Sequence, residues 1–99
     1  NGTKKLQLPS GYVQIQFPNG DTKEHFPSGR VIYHYEASEI TQITEGKTEV
    51  FYFANGQMER HFNDGSKEIF FADESAKFIS IDGAEFNVLP NGKVYEVTQ

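Results

Sequence analysis

The three histidines of this 99-residue chain are its best candidates for metal ligands, because the chain has no cysteine. A metal site needs ligands that converge on one point and neighbouring groups that orient them. His25, His34 and His61 lack converging spacing and lie on segments that also carry Lys and Glu, as on a solvated strand. The sequence therefore predicts neither a metal nor another cofactor.

Acidic residues collect at the turns and could pair as a general acid and a general base. They are Asp21, Asp64, Asp73, Glu74 and Asp82. Acid–base catalysis needs shifted pKa values and a cleft that excludes water. The open sheet predicted for this chain offers neither. The Asn-Gly and Asp-Gly turns could hold a phosphate, but no helix start and no Lys-Ser or Lys-Thr pair follows them. We therefore predict no catalytic residues and no enzyme activity.

The composition narrows the class of protein. A net charge of −5 with scattered lysines argues against a nucleic-acid surface, because phosphate binding needs clustered Lys and Arg. No apolar run is long enough for a membrane span or a signal peptide, so the sequence predicts no membrane partner. The absence of cysteine favours a reducing compartment, with the cytoplasm as the default. With 36% hydrophobic and 14% aromatic residues, the chain should fold without a thick core.

A nine-residue repeat must position all of these side chains. The units Phe17-Pro-Asn-Gly20 and Phe26-Pro-Ser-Gly29 are nine residues apart, and the nine glycines of the chain follow the same step with few breaks. One break is Glu74, which stands where a glycine would fall. A fixed short period over nearly the whole chain indicates a repeat architecture. We interpret residues 1–99 as a single repetitive domain, and Asn1 with its incomplete first unit as a sign of a longer array.

The segments between the glycine turns have the length and alternation of strands. They are Asp21–Phe26, Arg30–Glu36, Lys47–Phe53, Gln57–Phe62, Ser66–Phe71, Ser75–Ile81, Ala84–Leu89 and Lys93–Val97. The one helical candidate, Glu36–Thr44, is short and rich in β-branched residues, so we read a strand after a turn near Ala37-Ser38. The predicted fold class is all-β: a single free-standing antiparallel sheet, a meander of ~9-residue repeats exposed to solvent on both faces, with no conventional core.

The two faces of this sheet follow from the length of its loops. Two-residue loops at Asn19-Gly20 and Ser28-Gly29 would set Phe17 opposite Thr22 and Phe26 opposite Val31. One face would then be largely aromatic, and the other mostly polar. The predicted aromatic face consists of Val13, Ile15, Phe17, Thr22, Glu24, Phe26, Val31, Tyr33 and Tyr35, and the polar face of Tyr12, Gln14, Gln16, Asp21, Lys23, His25, Arg30, Ile32, His34 and Glu36.

Three stretches of the chain resemble a known family. The Phe-Pro-Asn-Gly and Phe-Pro-Ser-Gly units, the run Arg30–Tyr35 and above all the run Phe53–Ile69 are similar to the TCP domain, or G-box. This domain lies at the C-terminus of the centriole assembly protein CPAP, and its fly counterpart carries it too. The resemblance spans essentially the whole chain. Departures are the units without proline, Glu74 in place of a glycine, and a slightly shorter link from Tyr35 to Gly46.

The resemblance implies a scaffold that tethers another protein, with the centriole and centrosome of the cytoskeleton as its location. The implied partner is a proline-rich segment of a STIL-type centriole duplication protein. By residue-wise transfer from the family, the implied peptide-binding residues are Phe17, Tyr33, Phe53 and Glu59. Strict alternation from Phe62 would place Glu59 on the face opposite the other three, where it could pair with a basic residue of the sheet instead.

Two further interpretations stay open. The repeated Phe residues could be purely structural, each covering a neighbour across the strand ladder. The domain could also be a self-associating module that forms end-to-end fibrous assemblies, because an unpaired strand edge is a template for another chain. A proline at Val94 or Val97 should weaken such end-to-end self-association.

Overall fold

A computed structural model describes residues 2–97, which form eleven strands and no helix. Asn1, on which the longer-array interpretation partly rests, lies outside these residues. All strands belong to one open sheet in which spatial order equals chain order and every neighbouring pair is antiparallel, so the predicted fold class is confirmed. The strands are β1 (Lys4–Gln7), β2 (Val13–Gln16), β3 (Thr22–His25), β4 (Val31–Tyr35), β5 (Ile40–Glu45), β6 (Thr48–Tyr52), β7 (Met58–His61), β8 (Lys67–Phe70), β9 (Ala76–Ile79), β10 (Glu85–Val88) and β11 (Val94–Glu96).

The repeat turn is one residue longer than predicted. In the first Phe-Pro-Asn-Gly unit, the Gly20 amide donates to the Phe17 carbonyl at 3.0 Å, and the Phe17 amide donates to the Asp21 carbonyl at 2.9 Å. Phe17 is therefore opposite Asp21, and the loop holds the three residues Pro18, Asn19 and Gly20. Proline presets the first position of a type I turn, and Gly20 takes the left-handed position that follows it, at φ +93°.

The extra loop residue shifts the pairing by one position at each repeat turn. Thr22, Glu24 and Phe26, predicted on the aromatic face, lie on the other face, and the prediction for that strand is wrong. Asp21, Lys23 and His25 occupy the aromatic face in their place. Two turns restore the original parity, so β4 has the predicted orientation: Tyr33 is paired with Lys23, which is paired with Ile15. We call the face that carries Ile15, Lys23, Tyr33, Gln42, Phe51 and Glu59 the cleft face.

The sheet has no conventional core. Among residues 2–97, Ala76 is the one buried hydrophobic residue and Asp21 the one buried polar residue. The sheet measures 50 × 25 × 23 Å, with a radius of gyration of 17.0 Å. A compact globular domain of this length would have a radius of gyration of about 13 Å. Stability must therefore come from the strand ladder and from cross-strand pairs such as Tyr12 with Phe26, whose ring centroids are 5.3 Å apart.

Glu74 shows the cost of losing a repeat glycine. It occupies the left-handed turn position at φ +74°, where a residue with a Cβ is strained. We expect Glu74→Gly to raise the free energy of unfolding by about 1 kcal/mol, because glycine adopts this conformation without strain. Urea denaturation measures the change. Glu74→Ala is the matched control, since it removes the charge and keeps the strain. Equal stabilisation by both variants would contradict a backbone origin.

Candidate functional site

A cleft of about 340 Å³ opens on the cleft face, where β4 to β7 meet the turn between β4 and β5. Its walls are mostly aromatic and aliphatic, and they include the polar side chains of a serine, a glutamate and a histidine. The lining residues are Tyr35, Ser38, Ile40, Phe51, Phe53, Glu59 and His61. Two of the four predicted binding residues, Phe53 and Glu59, are therefore brought together here.

The cleft exists because the nine-residue period breaks between β4 and β5. Tyr35 is paired directly with Ile40, which leaves residues 36–39 as a four-residue loop at the edge of the cleft. Glu39 in this loop adopts a left-handed backbone at φ +56°. On the other wall, Phe51 is paired directly with Glu59 across β6 and β7. The longer loop and this pair form two sides of the open cleft.

Stacked aromatic rings connect the other two predicted residues to the cleft. The rings of Phe17 and Tyr33 stack at 6.0 Å between centroids, with 26° between their planes. The Tyr33 ring lies 4.4 Å from that of Tyr35, which lines the cleft. We call Phe17, Tyr33, Tyr35, Phe51 and Phe53 the aromatic track. Tyr35 was not among the predicted binding residues, although its alternation with Tyr33 placed it on the same face.

Glu59 lies on the cleft face together with Phe53, so its prediction on the opposite face is wrong. The reason is the three-residue loop that follows Phe53, which sets Phe53 opposite Gln57 instead of Met58. Both carboxylate oxygens of Glu59 have partners: Gln57 Nε2 donates to Oε2 at 2.7 Å, and His61 Nε2 lies 2.9 Å from Oε1. The His61 ring also packs against Phe51 at 4.8 Å between centroids. His61 thus belongs to the cleft and positions Glu59, a role that the sequence did not suggest.

Asp21 fixes the aromatic track and the cleft loop to each other. Its carboxylate, in a residue only 8% exposed, accepts hydrogen bonds from the Glu36 amide at 2.9 Å and from the Tyr33 hydroxyl at 2.9 Å. These two donors, with the backbone amide as the larger cause, lower the pKa of Asp21 below its ordinary value. The hydrogen bond between the Tyr33 hydroxyl and Asp21 is also the main cause that raises the pKa of Tyr33. Sequence reasoning treated Asp21 as one turn acid among several and missed this function.

Other kinds of site are not formed by the described part of the chain. No group of three or more His, Cys, Asp or Glu in residues 2–97 is placed to hold a metal ion. The same residues contain no helix long and apolar enough to cross a membrane.

Several solved structures similar to this chain are domains of the protein CPAP. The TCP10 domain of CPAP from Danio rerio is 42% identical with a TM-score of 0.89, over 96% of this chain and 57% of that chain. A CPAP G-box domain, whose structure suggests a role in centriole elongation, is 37% identical with a TM-score of 0.85, over 98% of this chain and 70% of that one. No protein-family model and no curated protein matches the chain.

One similar structure contains a bound peptide. The TCP10 domain of Danio rerio CPAP in complex with a peptide of Danio rerio STIL is 34% identical, with a TM-score of 0.76 over 98% of this chain and 65% of that one. The chain spans 57% of the Danio rerio domain to which it is 42% identical, so the likeness covers little more than half of that domain.

Proposed function

Because the chain belongs to the TCP10, or G-box, domain family of CPAP, we propose that it is a non-catalytic interaction scaffold in centriole assembly. It binds a proline-rich segment of a STIL-type centriole duplication protein and acts at the centriole and centrosome. The observation that carries this proposal is the aromatic track, which runs across neighbouring strands and ends in a cleft beside a carboxylate. The STIL peptide bound by the Danio rerio domain supports the class of partner.

The shape of the track suits a polyproline II ligand. Flat aromatic rings pack against proline rings, and such a ligand is already extended, so little conformational entropy is lost on binding. From Phe17, directly after β2, to Glu59 on β7 there are five strand spacings, or roughly 24 Å at about 4.8 Å each. A polyproline II segment rises about 3.1 Å per residue, so about eight residues cover the track. The Glu59 carboxylate at its end suits a basic side chain of the ligand.

Phe17 provides the cleanest test of the track outside the cleft. Its ring stacks on Tyr33, and its side chain takes part in none of the hydrogen bonds of the turn. We expect Phe17→Ala to weaken the binding of a proline-rich peptide by about 1 to 4 kcal/mol, the range of interface anchor residues. Isothermal titration measures the loss, and circular dichroism should show an unchanged sheet. Tyr33→Ala should weaken binding to a similar extent.

The two variants differ in their effect on the fold. Both variants lose the contact between the two rings, but only Tyr33→Ala also removes a donor to Asp21, so it should lose more stability than Phe17→Ala. Unaltered affinity in both variants would exclude the track as the binding site. Loss of the β signal in Phe17→Ala would instead give Phe17 a structural role.

End-to-end self-association is the second candidate function. In the described residues, β1 and β11 form the two edges of the sheet, and all residues of both strands are exposed. The amide of Val97 donates to the Glu85 carbonyl at 2.8 Å, so a proline there would break pairing within the sheet. Val94 is the better position, since ladder alternation directs its amide to the open edge. Val94→Pro should lower any concentration-dependent mass in sedimentation, and a concentration-independent monomer mass for the unsubstituted chain would count against this function.

A further inference from the structure

Ser38 differs from every other serine of the chain. The other five each use the side-chain oxygen in a hydrogen bond within their own turn; they are Ser10, Ser28, Ser66, Ser75 and Ser80. The hydroxyl of Ser38 makes no hydrogen bond within residues 2–97, and the residue is exposed at the edge of the cleft. A hydroxyl that does not stabilise its own turn, placed in a candidate binding cleft, is available to a ligand.

The two tyrosine hydroxyls and the His61 Nε2 of the site already have partners within the domain. The Tyr33 hydroxyl donates to Asp21 at 2.9 Å, and the Tyr35 hydroxyl donates to the side-chain carbonyl of Gln42 at 3.0 Å. His61 Nε2 is engaged with Glu59. The remaining walls are the apolar groups of Ile40, Phe51 and Phe53, which offer no donor.

A polyproline II ligand presents acceptors to such a donor. Its backbone forms no internal hydrogen bonds, so its carbonyls must find donors in water or in the binding protein. Proline residues have no N–H and add only acceptors. Aromatic rings tolerate sliding of the ligand along the track, whereas a directional hydrogen bond fixes one register.

We propose that the Ser38 hydroxyl is the donor of the cleft to a backbone carbonyl of the bound proline-rich segment, and that it sets the register of that segment on the aromatic track. This inference rests on the proposed function. It adds a specificity-determining residue in the link between β4 and β5, where this chain departs from the regular repeat.

Isothermal titration of the full chain with a synthetic proline-rich STIL peptide tests the proposal. Loss of one neutral hydrogen bond should raise the Kd of Ser38→Ala by about 2- to 13-fold. Ser38→Thr keeps the hydroxyl and should restore most of the affinity. The matched control is Ser28→Ala, another exposed turn serine whose oxygen accepts from the Arg30 amide, and its Kd should equal that of the unsubstituted chain.

A thioamide scan of the peptide identifies the accepting carbonyl, since sulfur is a weak acceptor. A thioamide at one peptide position should weaken binding to the unsubstituted chain and leave binding to Ser38→Ala unchanged, because the two changes remove the same hydrogen bond. The Ser38 assignment is wrong, while the proposed function stands, if Ser38→Ala binds as tightly as the unsubstituted chain. The same holds if every thioamide weakens binding to Ser38→Ala as much as it weakens binding to the unsubstituted chain. If the unsubstituted chain does not bind the peptide, both are wrong.

Discussion

Replacing Phe53 by alanine should remove most of the affinity for a proline-rich peptide while leaving the sheet folded. Phe53 lines the cleft where the aromatic track ends, next to Ile40 and Glu59. Central aromatic anchors of interfaces cost about 2 to 4 kcal/mol when truncated, which is a loss of roughly 30- to 1000-fold in affinity. The bonds that hold its turn are made by backbone atoms, with the Phe53 amide donating to the Gln57 carbonyl at 2.9 Å, so they survive the substitution.

Tyr52 provides the matched control for Phe53. It is the adjacent residue, and because successive side chains of a strand point to opposite faces, it lies on the face away from the cleft. Its side chain is 45% exposed, so Tyr52→Ala removes an aromatic ring of similar size from the neighbouring position. Isothermal titration should give the unsubstituted affinity for Tyr52→Ala. Equal losses in both variants would mean that the peptide does not distinguish the two faces.

Replacing Asp21 by alanine should destabilise the domain more than replacing any other turn aspartate. The substitution removes the acceptor of the Glu36 amide and of the Tyr33 hydroxyl, at a position that is only 8% exposed. Asp64 is the matched control, because its carboxylate serves only the exposed turn next to Ser66. Thermal unfolding should show a clearly lower Tm for Asp21→Ala than for Asp64→Ala. Equal Tm values would contradict the anchoring role of Asp21.

The lowered pKa of Asp21 also predicts the pH dependence of stability. A carboxylate with a lower pKa in the folded state stabilises that state at pH values above its ordinary pKa of 3.8. This stabilisation is lost as the pH falls below 3.8 and through the lower folded value. The Tm of the unsubstituted chain should therefore fall on acidification through this window, and Asp21→Asn should show a smaller fall. The fall in Tm that remains in Asp21→Asn comes in part from Asp64, Asp73 and Asp82, whose pKa values are lowered by their neighbouring hydroxyl and amide donors.

The architecture could be predicted from the sequence because the glycine period determines it. A turn every nine residues leaves strands of three to six residues, and short turns make consecutive strands neighbours. The faces could not be predicted as reliably, since one loop residue changes the parity of the next strand. Phe17 and Tyr33 were placed together correctly because two such errors cancel between β2 and β4. Phe53 and Glu59 are separated by one turn, so there the error remained.

The cleft itself was beyond local pattern reasoning. It forms where the period breaks, at the four-residue loop between β4 and β5, and the repeat gives no information there. The anchoring of this loop by Asp21 joins residues that are 15 positions apart. Ser38 and His61 belong to the cleft only because that loop and the pair of Phe51 with Glu59 bring them to one place.

The position of the bound segment on the sheet is tested most directly by intermolecular nuclear Overhauser effects between the proline ring protons of a STIL-type peptide and the aromatic protons of the domain. Specific labelling of Phe and Tyr resolves the two faces. We expect contacts to Phe17, Tyr33, Tyr35 and Phe53, in that order along the peptide, and none to Tyr52 or Phe70. Contacts confined to Tyr52, Phe70 and Phe78, or to the edge strands β1 and β11, would contradict binding along the aromatic track.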